Sequence, residues 1–223
     1  MDKNGSYKES DLLFKIALDL SSIGDAKAYG AGAYGRYYSD KAVVEPISKQ
    51  MGLSDPSQGL KRFRTNDIES NLKEVIGLNI VAPMINKYTQ LVAPSIPHQS
   101  MSMVLRNKMM ITQHFNGITG YDFNNSYHEN SPVSDEFFSA VMNRLYCFIV
   151  NELKKIGITE MDIHSENYII KQHLKKELMS AYHDSLMEFK KDPDINLYIT
   201  ITQELDKIDL RKQLCVFDFG GIS

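Results

Sequence analysis

The 223-residue chain has little of what marks a membrane protein or a nucleic-acid-binding protein. No stretch approaches the roughly 18 consecutive apolar residues of a membrane-spanning helix, so we expect no membrane span. The 25 basic residues are balanced by 28 acidic ones, whereas nucleic-acid-binding proteins present an excess of positive charge to the phosphate backbone. We therefore expect no nucleic acid among the partners.

Cysteine is scarce as well. Cys147 and Cys215 lie in apolar runs and lack the paired spacing of a zinc site, which predicts two buried free thiols in a reducing compartment. Residues 1–11 are polar and lack the cationic start and apolar stretch of a secretory signal peptide. These absences predict a soluble protein that works in the cytoplasm.

The length fits one large domain or two small lobes, and the first half alternates between helical and β patterns. Residues 10–22 have a capping serine and helical apolar spacing, which predicts an opening helix. Residues 30–44 predict a strand, a glycine-rich bend, a second strand, a turn and a third strand at Ala42-Val43-Val44. Residues 46–59 have the composition of a loop.

Another helix and hairpin are predicted next. Asn66 and Glu69 have the spacing of a capping box, so we expect a helix from there to about Leu78, with a second helical piece after Pro83. Residues 101–105 and 109–112 have the pattern of a second β-hairpin, which residues 115–117 end. The first half is thus predicted to be small and rich in β-structure.

The second half is predicted to be mostly helical. Residues 134–153 repeat apolar side chains at helical spacing, and short apolar strands are predicted at residues 168–170 and 214–217. Between these strands lies a charged segment of helical pattern with one apolar stripe, formed by Leu174, Leu178, Tyr182, Leu186 and Phe189. We expect this stripe to pack on the 134–153 helix or to dock a partner.

Two segments of this half carry candidate catalytic residues. Residues 157–170 place Asp162 and Asn167 before an apolar strand, and residues 215–220 end an apolar run on Asp218. Transfer of a phosphoryl group requires side chains that orient a hydroxyl nucleophile and hold Mg²⁺ against a triphosphate, and carboxylates and amides do both. The alternative is an ordinary surface turn, which also uses Asp and Asn.

Residues 157–170 resemble the catalytic loop of protein kinases, and residues 218–220 resemble the D-F-G element that follows it. The resemblance implies that ATP donates the phosphoryl group, that Asp162 accepts the proton of the substrate hydroxyl, and that Asn167 and Asp218 bind Mg²⁺. His164 stands where protein kinases usually have lysine, and the loop is also similar to that of aminoglycoside phosphotransferases. Protein kinases and small-molecule kinases both remain open.

The glycine pattern Gly30-x-Gly32-x-x-Gly35 agrees with this resemblance because a strand follows it, whereas a dinucleotide-binding pattern opens a helix. Backbone N–H groups of such a bend can approach phosphates because no side chain intervenes, although an ordinary glycine bend is the alternative. Gln113 and Phe115 lie where kinases read adenine with backbone groups, and a plain hairpin exit explains them equally well.

One departure from the kinase pattern concerns the lysine that binds phosphates. The third strand of kinases carries Ala-x-Lys, but Val44 stands in the place of the lysine. If an ion pair to a helix carboxylate exists, we expect Lys41 or Lys49 as its cation and Glu69 or Glu74 as its anion.

A second departure concerns regulation. Glu160 and Met161 replace the His-Arg of the catalytic loop, which removes the arginine that would bind an activation-loop phosphate. The sequence ends at Ser223, so we expect no activation loop. The resemblance is therefore to compact effector kinases that bacterial pathogens inject into host cells. It implies a role in virulence and, as an alternative to a cytoplasmic location, secretion into a host cell without a cleavable signal peptide.

We therefore predict an α+β, two-lobe protein-kinase-like fold with a five-stranded antiparallel N-lobe and a reduced helical C-lobe. The expected parts are an N-terminal helical extension at residues 1–23, an N-lobe at 24–117 and a C-lobe at 118–223 with a helical insertion at about 172–213. The expected function is ATP-dependent phosphorylation of serine or threonine in a protein substrate, with an activating host protein as a further partner. The alternatives are a pseudokinase binding module and a small-molecule phosphotransferase of the aminoglycoside-kinase type.

Overall fold

The computed structural model describes residues 23–24, 26–31, 35–51, 53, 58–63, 68–94, 104, 108–159, 161 and 163–217. The strands among them are β1 (Gly30–Ala31), β2 (Gly35–Tyr38), β3 (Gln58–Phe63), β4 (Met109–Gln113), β5 (Gly117–Thr119), β6 (Tyr168–Lys171) and β7 (Leu214–Val216). The helices are α1 (Lys41–Gln50), α2 (Ile68–Tyr88), α3 (Gly120–Tyr127), α4 (Pro132–Lys154), α5 (Gln172–Lys191) and α6 (Leu197–Asp206). The predicted α+β class is confirmed.

The described residues divide into two compact units. The first lies within Met1–Asn79 and Ser95–His114, and the second lies within Ile80–Pro94 and Phe115–Ser223. The chain crosses between the units three times, whereas the sequence predicted a single boundary between residues 117 and 118.

The first unit is built on an antiparallel sheet in which the described strands follow the order β1-β2-β3-β4. Leu60 in β3 is paired with Tyr38 on one side and with Ile111 on the other, and directly paired residues point to the same face of a sheet. These side chains are buried in one apolar cluster with Val43 and Ile47 of α1. Helix α1 therefore closes one face of this sheet.

Helix α1 stands where the sequence predicted the third strand, and that prediction was wrong. Asp40 caps the helix, because its side-chain oxygen accepts a hydrogen bond from the backbone N–H of Ala42 at 2.9 Å. Val43, Val44 and Ile47 then lie on one side of the helix and are buried. Capping and burial together outweigh the preference of valine for strands, which depends strongly on context. The third strand of the sheet is β3, which begins inside the predicted loop.

The sheet has four strands among the described residues, where the sequence predicted five. Strands β1, β2 and β4 lie at predicted positions. The additional strand predicted at residues 101–105 lies outside the described residues except for Val104, and the opening helix at residues 10–22 lies outside them entirely.

Helix α2 is one continuous helix, although the sequence predicted two pieces separated before Pro83. A proline inside a helix removes one backbone hydrogen bond. Apolar side chains nevertheless remain buried at helical spacing on both sides of it, and they are Val75, Leu78, Ala82 and Ile85. The prediction of two separate helices was wrong, because the buried apolar face of α2 continues past Pro83.

Lys212 caps the carboxyl end of α2 within the second unit. Its Nζ donates to the carbonyl oxygens of Asn86, Thr89 and Leu91 at 3.0, 2.7 and 2.9 Å. The last carbonyl groups of a helix have no partner inside it and carry partial negative charge, so an ammonium group there is favourable. The segment that follows α6 is thereby fastened to the end of α2.

The second unit contains an antiparallel sheet of order β5-β6-β7. Val92 adds a parallel bridge to Cys215 of β7, with the backbone N–H of Val216 donating to the Val92 carbonyl at 2.9 Å. Cys215 is buried, and burial raises the pKa of its thiol, which makes it a poor nucleophile. Cys147 is exposed, so the prediction of two buried thiols was right for Cys215 alone.

Helices α4, α5 and α6 pack together in the second unit. Phe137 of α4 contacts Tyr182 of α5 with ring centroids 5.2 Å apart, so the helix between β6 and β7 does pack on the predicted 134–153 helix. Among the described helices, none combines the length and the apolar character that crossing a lipid bilayer requires.

The apolar stripe of α5 differs from the prediction at its far end. Leu174, Leu178 and Tyr182 are buried as predicted, but Leu186 is only half-buried and Ser185 is buried in its place. Steps of four residues advance by 400° around a helix of 3.6 residues per turn, so a stripe spaced only by four drifts off the packed face. A step of three residues brings the next side chain back to the buried face, as from Tyr182 to Ser185.

We expect Leu178→Ala to destabilise the protein by about 2–5 kcal/mol, because Leu178 is 1% exposed and its truncation leaves a cavity. Met187→Ala on the same helix is the matched control, since Met187 is 41% exposed and its loss should change stability by about 0.5 kcal/mol or less. Urea unfolding followed by circular dichroism measures both. Equal midpoints for the two variants would contradict the packing of α5.

Candidate functional site

An ion pair joins the sheet of the first unit to helix α2. Lys61 on β3 and Glu74 on α2 form a hydrogen-bonded ion pair, and their side chains are 19% and 8% exposed. A charge removed from water is costly unless it is paired, so each of these groups needs the other. The pair fixes an ammonium group on the sheet face opposite α1.

This ion pair corrects the sequence assignment. Lys41 and Lys49, the two predicted cations, are exposed on α1. Glu69, one of the two predicted anions, is exposed and pairs with Lys73 at 2.9 Å along α2. Of the predicted residues, the structure thus places Glu74 in the pair.

Sequence reasoning missed Lys61 because it placed the third strand at residues 42–44 and a loop at 46–59. A signal was available in Gly59-Leu60-Lys61, which has a small residue two positions before a lysine, as in Ala-x-Lys.

The glycine pattern lies at the β1–β2 hairpin. Gly30 pairs with Tyr37 across the two strands. A side chain at Gly35 would be crowded, because an added Cβ would lie 2.8 Å from the carbonyl oxygen of Arg62. Close packing of two strands therefore accounts for Gly35 in full. Gly32 and the rest of the bend lie outside the described residues.

The predicted catalytic loop begins at a helix end of defined geometry. Gly157 has a positive φ of 81°, and its N–H donates to the carbonyl of Lys154 while the N–H of Ile158 donates to that of Leu153, both at 3.1 Å. This is the Schellman arrangement that ends helices at glycine. The predicted base Asp162 lies outside the described residues.

Asn167 is buried at the end of this loop. Its amide nitrogen lies 2.9 Å from Nε2 of His164, and its backbone N–H donates to the His164 carbonyl at 2.9 Å. This contact fixes the position of the Asn167 side chain beside His164.

The backbone brings Asn167 next to the segment that carries Asp218. Tyr168 pairs with Val216 between β6 and β7, and the N–H of Phe217 donates to the Asn167 carbonyl at 3.1 Å. Asp218 itself lies outside the described residues. Phe217, the residue before it, is hydrogen-bonded to Asn167 through the backbone. The convergence of the Asn167 and Asp218 side chains stays a prediction, and this backbone contact supports it.

The predicted adenine-reading segment lies where the two units divide. Gln113 is the last residue of β4 in the first unit. Phe115 belongs to the second unit, where Lys171 places its Nζ 5.8 Å from the centre of the ring. Their predicted contact with adenine stays a prediction.

The two predicted Mg²⁺ ligands, Asn167 and Asp218, carry an amide and a carboxylate oxygen. Mg²⁺ prefers a few carboxylate and amide oxygens and keeps several waters, which fits Asn167 together with the predicted ligand Asp218. Within the described ranges, no cluster of three His, Cys, Asp or Glu side chains is placed to bind a metal ion. Comparison of the chain with known protein families, curated proteins and solved structures gives no match.

A double-mutant cycle on Lys61→Met and Glu74→Leu should give a coupling energy of about 1 kcal/mol or more, because each single variant leaves a largely buried charge without this partner. The control cycle on the exposed neighbouring pair, Glu69→Leu and Lys73→Met, should give about 0.5 kcal/mol or less. Guanidinium unfolding curves supply the four free energies of each cycle. Equal coupling in the two cycles would show that burial does not strengthen the Lys61–Glu74 pair.

Proposed function

We propose that the protein is an ATP-dependent kinase with a two-lobe protein-kinase-like fold that phosphorylates serine or threonine in a protein substrate. The observation that carries the proposal is the Lys61–Glu74 ion pair. Phosphoryl transfer needs a fixed cation at the phosphates, and a carboxylate on a neighbouring helix holds such a lysine in place. Lys61 also lies one strand away from the glycine hairpin that the sequence assigns to phosphates.

The second unit supports the same chemistry. Asn167 and Asp218 are the proposed Mg²⁺ ligands, and the hydrogen bond between Phe217 and Asn167 holds their two segments together. When bound, Mg²⁺ would neutralise charge on the transferred phosphates. Asp162 would accept the proton of the substrate hydroxyl and orient its oxygen for attack.

Lys61 also bears on the alternative functions. The absence of a lysine in the Ala-x-Lys register favours the pseudokinase alternative, and the Lys61–Glu74 pair supplies a candidate for that lysine. Phosphorylation of a small molecule is not favoured by any contact among the described residues. Injection into a host cell and activation by a host protein remain part of the proposal.

Lys61→Met should reduce phosphotransfer from ATP by roughly 100-fold or more, the scale seen when a preorganised partner of developing charge is removed. Lys41→Met is the matched control and should keep the parent rate, because Lys41 is exposed on α1. The measurement is transfer of radiolabel from γ-labelled ATP with Mg²⁺ to proteins of a cell lysate. Unfolding curves of both variants separate loss of activity from loss of fold.

Three results of this assay have different meanings. Equal activity of Lys61→Met and the parent would show that the Lys61–Glu74 ion pair has no role in phosphotransfer. Nucleotide binding by the parent without any transfer would favour the pseudokinase alternative. Transfer to a small molecule, with no labelled protein, would favour the aminoglycoside-kinase type.

Asp218→Ala should abolish Mg²⁺-dependent ATP binding, whereas Asp162→Ala should largely keep it and lose transfer. The difference follows from the proposed roles, since Asp218 binds the metal and Asp162 acts on the hydroxyl nucleophile. Isothermal titration of each variant with ATP, in Mg²⁺ and in EDTA, measures the binding. An equal loss of affinity in both variants would contradict these roles.

A further inference from the structure

The sheet face opposite α1 carries an aromatic ring in an unusual place. Tyr37 pairs with Lys61, and Gly59 lies two residues before Lys61 on the same strand, so all three share this face. The Tyr37 ring lies directly on Gly59, because a side chain added there would overlap the ring and its hydroxyl. A glycine inside a strand often marks close approach of another group. Here that group is Tyr37.

A hydrogen bond and a ring contact hold Tyr37 in this position. Its hydroxyl lies 3.1 Å from Nδ1 of His114, and the two rings are stacked with centroids 5.8 Å apart. Burial lowers the pKa of His114, which favours the neutral ring that can accept this hydrogen bond. Tyr29 packs edge-on against both rings.

A buried hydroxyl without a partner lies beside this ring. Thr112 is 6% exposed, and its Oγ1 has no hydrogen-bond partner in the described part of the chain. It is paired directly with Gly59, so its side chain points to the face that Tyr37 covers. A buried unsatisfied hydroxyl costs about as much as a lost hydrogen bond, and a ligand that supplies a polar atom there would recover it.

The proposed function places a nucleotide on the same face. Its phosphates would bind Lys61, and its base would be read by the backbone near Gln113. Gly59 lies between these two points, because it is two residues from Lys61 and pairs with Thr112, the residue before Gln113. A nucleotide that reaches both points must cross Gly59.

We propose that Tyr37 is a gate of the nucleotide site, whose ring on Gly59 occupies the place of the base. Binding requires the ring to turn away from Gly59 and its hydrogen bond to His114 to break. The base then takes the place of the ring, and its polar edge becomes the partner of the Thr112 hydroxyl. This inference rests on the proposed kinase function.

Truncation of the gate should strengthen binding, whereas truncation of an ordinary contact residue would weaken it. Tyr37→Ala should lower the dissociation constant of a non-hydrolysable ATP analogue with Mg²⁺ roughly fivefold or more, because the competent form is no longer a minor population. Tyr37→Phe keeps the ring and loses only the hydrogen bond, so its effect should have the same sign and be smaller. Tyr121→Ala is the control, since Tyr121 is 48% exposed in the second unit.

The outcomes separate this inference from the proposed function. Unchanged or weaker binding by both Tyr37 variants, with the parent binding normally, would overturn the gate and leave the kinase proposal intact. If Tyr37→Ala fails to fold, Tyr37→Phe decides by the same criterion. Absence of nucleotide binding by the parent and by every variant would overturn the proposed function and the gate with it.

A direct probe of ring movement is available because the chain has no tryptophan. Tyr37→Trp introduces a single tryptophan, and its fluorescence, excited selectively at the red edge of the absorption, should shift to longer wavelength when the analogue binds, since the ring moves towards water. A shift to shorter wavelength would mean that the ring stacks on the base, and an unchanged spectrum would mean that it stays in place. Either result overturns the gate.

The Thr112 hydroxyl provides an independent test. Thr112→Val should leave the melting temperature equal or higher, because an apolar isostere removes the unsatisfied group. In the Tyr37→Ala background the same change should weaken binding of the analogue roughly two- to tenfold, which is the worth of one hydrogen bond. Equal affinity with and without the hydroxyl would remove Thr112 from the site.

Discussion

The need to pair a buried charge is the constraint on which the first unit depends. Lys61 on the sheet is paired with Glu74 from α2, and both side chains are largely removed from water. The pairing register of β3 and the position of α2 must therefore both be correct. A slip of one residue in β3 would turn Lys61 towards the apolar cluster under α1. Such a pair is weak evidence for stability.

The second unit solves a different problem, which is to bring together two segments that lie far apart in sequence. Strands β6 and β7 pair across the whole of α5 and α6. The entropy of closing a loop grows only slowly with its length, and the two helices compensate by burying apolar surface against α4. The insertion thus lets the Asn167 backbone bond to Phe217 and contributes to the core at the same time.

Local patterns predicted the parts of the fold whose structure is decided locally. Helix α4, strands β6 and β7, and the hairpin glycines follow from spacing within short windows. Helix α1 and Lys61 do not, because a short apolar run such as Ala42-Val43-Val44 fits a strand or a helix, and tertiary burial decides between them. Once that run was assigned to the third strand, no strand was predicted at residues 60–63, and Lys61 was not considered. A single error in the type of one element therefore shifted the expected position of the lysine of the proposed site.

The two faces of the sheet in the first unit differ in the kinds of residue that they carry. The face under α1 is apolar and well buried, with Leu60 at its centre. The other face has a glycine inside a strand, a buried charged pair and the Thr112 hydroxyl, for which the described residues offer no hydrogen-bond partner. Each of these reduces stability or adds none, and natural proteins retain such features mainly where function requires them. Met110 and Phe63 are also buried on this face, so the glycine and the polar groups, rather than a lack of packing, distinguish it from the face under α1.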